Sequence, residues 1–191
     1  MLFRSNPSLK FVRNNSIRSA IARSLPLIQQ ADVNFTKHAG CISCHNQGLT
    51  SMTVGTTRSF GIPVDETKSA QATSYASDTF NVDRNFWLEG GMGGAGVVGQ
   101  SYSLLLLHSE GRKPTITTDA MGRSIKLRQM PGGYWQALNT ANSRPPLGTT
   151  GIGRTALALR SLQLFAQTLL REQYNQAVEL AGKFQIGRAH V

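Results

Sequence analysis

The chain has 191 residues, 40% of them hydrophobic, which is enough for one domain with a buried core. No apolar run approaches the roughly 20 residues of a membrane-spanning helix. Twenty Lys and Arg against ten Asp and Glu give a formal charge of +10, but the basic residues are scattered, without the tract or interleaved aromatics of a nucleic-acid surface.

The ends set the frame. Met1 to Ser5 and Ile186 to Val191 resemble translations of one sequencing-library adapter read in opposite orientations. Residues 1–5 and 186–191 are therefore set outside fold reasoning, and residues 6–185 are expected to be a single partial domain cut from a longer parent chain.

In chain order, Ser16 is a candidate cap for a first helix, whose buried stripe is expected to run through Ile17, Ile21, Leu25, Ile28 and Phe35. Pro26 should kink this helix or open a second segment capped by Ser24, and Gly40 should end it. A second helix is predicted over 44–59, with a small-residue face of Leu49, Met52, Val54 and Gly55, stopped by Gly61 and Pro63. Asp65 can cap a third helix that reaches Phe80. A glycine loop over 90–96 leads into a fourth, centred on Leu104 to Leu107 and ended by Gly111 and Pro114. A fifth follows Thr118 or Asp119; 132–151 reads as irregular; a sixth spans Thr155 to Ala166 and a seventh Leu169 to Phe184. Strand alternation is nearly absent, so the predicted class is all-α.

Apolar helices ending near Gly61, Gly111 and Ala166 recur about every 50 residues, each alternating with a more polar helix. That period implies stacked helical hairpins, arranged as a solenoid or as a closed ring.

Gln129-Met-Pro-Gly-Gly133-Tyr-Trp135 resembles the Gln-x-x-x-Gly-x-Trp repeat of the squalene and terpenoid cyclases, where Gln and Trp tie outer helices together. Arg144-Pro-Pro-Leu147 with the helix from Thr155 to Leu164 is similar to a loop and inner helix of bacterial members. Ser24 through Cys41 to Glu66 is similar to cyclase-like bacterial proteins that carry a cytochrome-type motif. The resemblance implies a partial α/α toroid. It does not imply the cyclisation activity, because the acidic Asp-x-Asp-Asp motif is absent from this chain and Gly148, Gly151 and Gly153 stand where an acidic residue is expected.

Chemistry concentrates in Cys41-Ile-Ser-Cys44-His45, the spacing of c-type haem attachment. Two thiols three positions apart lie on one side of a helical turn and can form thioethers with the two haem vinyl groups, while His45 serves as proximal iron ligand. Three other readings stay open: a zinc site completed by His38, a dithiol redox pair, or small core residues. For a distal ligand, Met52 lies on the same face as His45, and His108 reads as a core histidine. Loops preceding successive inner helices gather at one end of a toroid, which favours Met92 ahead of Met130 or His38. Gly91 to Gly96 matches a dinucleotide fingerprint in letters, but no strand precedes it. The expected role is haem c binding and electron transfer to a redox partner protein in the periplasm or another extracytoplasmic compartment. The alternatives are a non-catalytic toroid that holds an apolar ligand or a protein partner, or a fragment of a cyclase-type enzyme.

Overall fold

Every regular element among the described residues is helical, as the periodicity predicts. The computed structural model describes residues 17–39, 42, 44–91, 96–136, 151–165 and 171–189, with only the backbone of Cys44, His45, Arg188 and Ala189. In chain order these form α1 (Ile17–Ala39), a single π-helical turn (Cys44–Gly48), α2 (Leu49–Ser59), α3 (Glu66–Val82), α4 (Arg84–Leu88), α5 (Gly96–Ser109), α6 (Ile116–Lys126), α7 (Gly151–Phe165) and α8 (Arg171–Ala189). Gly40, Pro145 and Pro146 lie outside the described residues.

Local chemistry explains where the helices stop. At the end of α2, Gly61 takes φ +64°, its N–H donates to Arg58 O, and the Ile62 N–H donates to Thr57 O. At the end of α5, Gly111 takes φ +70°, with matching bonds from Gly111 N–H to His108 O and from Arg112 N–H to Leu107 O. Both are Schellman caps, which need a residue at positive φ and so favour glycine. Four residues after each glycine comes the cap of the next helix. Asp65 accepts from the Lys68 N–H, and Thr115 forms a reciprocal capping box with Thr118. The two cap-turn-cap units therefore repeat at a spacing of fifty residues, Gly61 to Gly111 and Asp65 to Thr115. This moves the start of α6 ahead of the expected Thr118 or Asp119: Thr118 is the N3 partner of the box, and the cap itself is Thr115. Similarly, α7 begins at Gly151, inside the stretch read as irregular, and Gly151 and Gly153 belong to its first turn.

Three helices lie side by side and run the same way. A β-carbon added at Gly48 would meet Tyr102 Cβ at 3.3 Å, and one at Gly55 would meet Ser109 O at 2.5 Å, so α5 advances in step with the chain that leads through α2. Ser161 bonds Ser101 at 3.4 Å and the Phe165 ring lies 6.2 Å from that of His108, so α7 runs parallel to α5. The other helices return along this row. Arg18 of α1 donates to Phe60 O at 3.1 Å while Gln47 donates to Thr36, which sets α1 antiparallel to α2. Gln100 donates to Ser124 across α5 and α6, and Gln185 donates to Ile152 O across α7 and α8.

The predicted buried stripe of α1 needs correction. Leu25 is buried, but Ile17 is 82% and Ile28 37% exposed, and the buried face is Leu25, Gln29, Asp32 and Val33. The reason is what α1 docks on. Gln29 donates to Asp65 O at 2.9 Å and accepts from the Asp65 N–H at 3.0 Å, so the neighbouring turn presents backbone groups that a purely apolar face would leave unpaired. Pro26 sits inside the one continuous helix, α1.

The far half holds most of the large apolar core. Leu104, Leu106, Met121, Ile125, Trp135 and Leu162 are at 0% exposure and form one cluster with Phe165 and Tyr174. The Gln129 to Trp135 segment ties this core together. Gln129 Nε2 donates to Ala177 O of α8 at 2.7 Å and to Gly133 O, Trp135 Nε1 donates to Ile125 O of α6 at 2.7 Å, and Tyr134 stacks on Phe184. Gly133 has φ +87°, and a β-carbon there would lie 2.3 Å from Leu180 O. The glycine is required on both counts.

Candidate functional site

The cysteine motif enters the fold through the Cys44–Gly48 turn, at the N-terminal end of the parallel row. That turn contacts α1, α2 and α5. Gln47 is fully buried and its Nε2 donates to Thr36 Oγ1 at 2.9 Å; Thr36 Oγ1 donates in turn to Asp32 O at 3.2 Å. Gly48 abuts Tyr102, where a β-carbon would press on the ring. Ile42, between the two cysteines, packs against the apolar core. The backbone that follows His45 is therefore held against α1 through Gln47 and against α5 through Gly48. The π-helical geometry of this turn was not legible in the sequence; such single turns are rare and occur disproportionately at functional sites.

Cys41 lies outside the described residues, as do the side chains of Cys44 and His45. Their chemistry fits the group the motif implies: two thiols for thioether bonds and one imidazole for iron. Met92 also lies outside the described residues; the two residues before it are held by α6 and the turn that follows it. The Gly90 carbonyl accepts from Arg128 Nη2, and the Gly91 carbonyl accepts from Ser124 Oγ at 2.9 Å. Because α2 and α5 run parallel, their first residues, Leu49 and Gly96, lie at the same end of the row.

The remaining candidates are dispersed. His38 is exposed in the last turn of α1, while Met52 and Met130 are half-buried. His108 is exposed, contrary to the core position expected for it: it lies near the end of α5, lines the groove beside α2 and α3, and meets the Phe165 ring edge-on at 6.2 Å. Among the described residues, no three His, Cys, Asp or Glu side chains gather as a metal site.

At the opposite, C-terminal end of the row, the structure assembles a polar cluster that the sequence reading missed. A groove of about 520 Å³ lies between α2, α3 and the end of α5. On its wall, Arg58 bonds Glu66 through two nitrogens at 2.8 and 2.9 Å, and also reaches Ser69 at 3.1 Å and Glu110 at 3.2 Å. The Glu110 side chain is only 5% exposed and also accepts from Ser69 Oγ. The paired carboxylates raise the pKa of Arg58, the Glu66 bond contributing most. Asp32, on α1, is 3% exposed, and its Oδ1 has no hydrogen-bond partner among the described residues. Burial first, and the charge of Glu110 second, push its carboxyl up to about 6. The sequence carried one weak signal for it, an acidic residue in the middle of an otherwise apolar helical register. Comparison with family models, with curated proteins and with solved structures returned no match for the chain.

Proposed function

We propose that this chain binds haem c and carries electrons, on a scaffold that is part of an α/α toroid of the squalene-cyclase type. The observation that carries the reading is Cys41-Ile-Ser-Cys44-His45, placed at the entry to a clamped π-helical turn. Support for the scaffold comes from three features: the parallel inner row, the cap-turn-cap unit repeated at fifty residues, and the Gln129 to Trp135 tie between α6 and α8.

When bound, the haem supplies one-electron exchange at iron. The chain's part is to hold it. Cys41 and Cys44 would hold the haem through thioethers, and His45 would supply an imidazole nitrogen for its iron. Gln47, bonded to Thr36, and Gly48, seated on Tyr102, hold the backbone that follows His45. Met92 is the proposed distal ligand. An extracytoplasmic compartment, where haem c is attached, is the proposed location, and a redox protein the proposed partner.

The test is expression with the cytochrome c maturation machinery followed by a pyridine haemochrome assay. One covalent haem per chain is expected, with both cysteines blocked to alkylation. A colourless product with two free thiols ends the reading. In the haem-loaded protein, Met92→Ala should convert a low-spin spectrum to high-spin; an unchanged spectrum removes Met92 and leaves the attachment intact.

A further inference from the structure

Asp32 is a carboxyl buried in a protein seam without the partner that a buried charge needs. Its residue is 3% exposed, and Oδ1 has no hydrogen-bond partner. A carboxyl in that setting is tolerated when neutral and disfavoured when ionised. The charged groups on elements packed against α1 are Arg58 on α2; Asp65, Glu66, Lys68 and Asp78 on or capping α3; and His45 in the π-helical turn. Arg58 would be the natural counter-charge, but Glu66 and Glu110 already engage it. Glu110, near the C-terminal end of α5, is itself nearly buried and acts on Asp32 as a like charge.

We propose that Asp32, set against Glu110, is a pH-operated latch on α1: the protonated carboxyl lets α1 dock fully on α2 and α3, and ionisation loosens that docking. The consequence is directional. α1 ends at Ala39, two residues ahead of Cys41 in the sequence, so the latch sets how firmly the last turn before that motif is held. The inference does not depend on haem.

The sign follows from linkage. The carboxyl in the fold titrates at about 6 against an ordinary value of 3.8, so its favourable contribution is complete below the ordinary value and is lost as pH rises through about 6. A displacement of this size corresponds to a change of up to about 100-fold in the opening equilibrium of α1.

Amide hydrogen exchange between about pH 4 and 8, corrected for intrinsic exchange rates, reads this out. Protection in α1 should fall as pH rises from about 4 and level off above about 6 while α5 and α7 stay level, and in Asp32→Asn the α1 protection should be independent of pH. Flat α1 protection in the wild-type chain overturns the latch, as does a fall that survives in Asp32→Asn. Should Asp32→Asn fail to fold, carboxyl-carbon NMR of the wild-type chain decides. A titration of Asp32 near 6 that moves lower in Glu110→Gln supports the latch, and a titration in the ordinary carboxylate range sinks it.

Discussion

The two halves of the molecule bury apolar and polar side chains in different proportions within the same kind of helix packing. Where α1, α2 and α3 meet, buried Gln29, Asp32, Thr50, Ser51, Thr57, Ser69 and Thr73 are about as numerous as the apolar side chains beside them; where α5, α6, α7 and α8 meet, a larger apolar cluster that includes Leu104, Leu106, Met121, Ile125, Trp135 and Leu162 surrounds a comparable set of buried polar groups such as Gln100, Ser124 and Ser161. Apolar burial stabilises at about 25 cal/mol per Å² with little demand on geometry. Buried polar groups contribute only when each finds its partner. The far half is therefore the stable platform, and the near half is where a change of charge or partner can alter the packing. The cysteine turn sits on the boundary, against α1 on one side and α5 on the other.

The largest expected effect tests that division directly. Trp135 is fully buried and its Nε1 holds Ile125 O, so Trp135→Ala removes both a large apolar surface and the tie to α6. A loss of about 3–5 kcal/mol is expected. Thr73, 2% exposed in the near half, spends its hydroxyl on Ser69 O within its own helix. Thr73→Ala should cost about 1 kcal/mol or less. Chemical denaturation midpoints compare the two, and similar losses would erase the distinction.

Where the halves join, the tolerance is steric. A β-carbon at Gly55 would lie 2.5 Å from Ser109 O, a backbone atom that cannot swing aside, so Gly55→Ala must push α2 away from α5. We expect about 1–3 kcal/mol of destabilisation. In a haem-loaded chain, the spectrum should remain, because His45 enters at the other end of α2. Unchanged stability would mean that the two helices slide apart without resistance and that the parallel row is not a rigid unit.

How much of this was legible in the sequence depends on how local each signal is. Schellman glycines and the Asp65 cap are decided within a few residues, so Gly61, Gly111 and Asp65 could be read directly. The Leu104 to Leu107 helix was readable because its burial is nearly all-round. The face of α1 was not, since hydrophobic periodicity cannot anticipate that Gln29 will be recruited by the backbone of Asp65, thirty-six positions away. The same blindness hid α4, a five-residue helix too short to show a period, and the Arg58–Glu110 pairing, which spans fifty-two positions. For the candidate site, Cys41, Cys44 and His45 were legible as a spacing. The Gln47–Thr36 bond that braces them joins polar residues on different elements, and nothing in either residue alone announces it.

The smallest expected effect compares the two repeated caps, which share a position and differ in charge. Thr115→Ala removes a neutral capping box and should cost about 0.5–2 kcal/mol at any pH. Asp65 does the same work as a carboxylate, held below its ordinary 3.8 chiefly by the Lys68 backbone N–H and then by the Lys68 side chain. Its contribution is present above 3.8 and is lost as pH falls through the lowered value. Melting temperatures at pH 7 and pH 3 should therefore show Asp65→Ala approaching the wild-type chain in acid, while the gap for Thr115→Ala stays constant. This slope runs opposite to that of Asp32, which favours the fold when protonated. A gap for Asp65→Ala that did not narrow would mean that its carboxylate charge adds nothing to the cap, leaving hydrogen bonding alone to explain why both repeats place a capping oxygen four residues after the glycine.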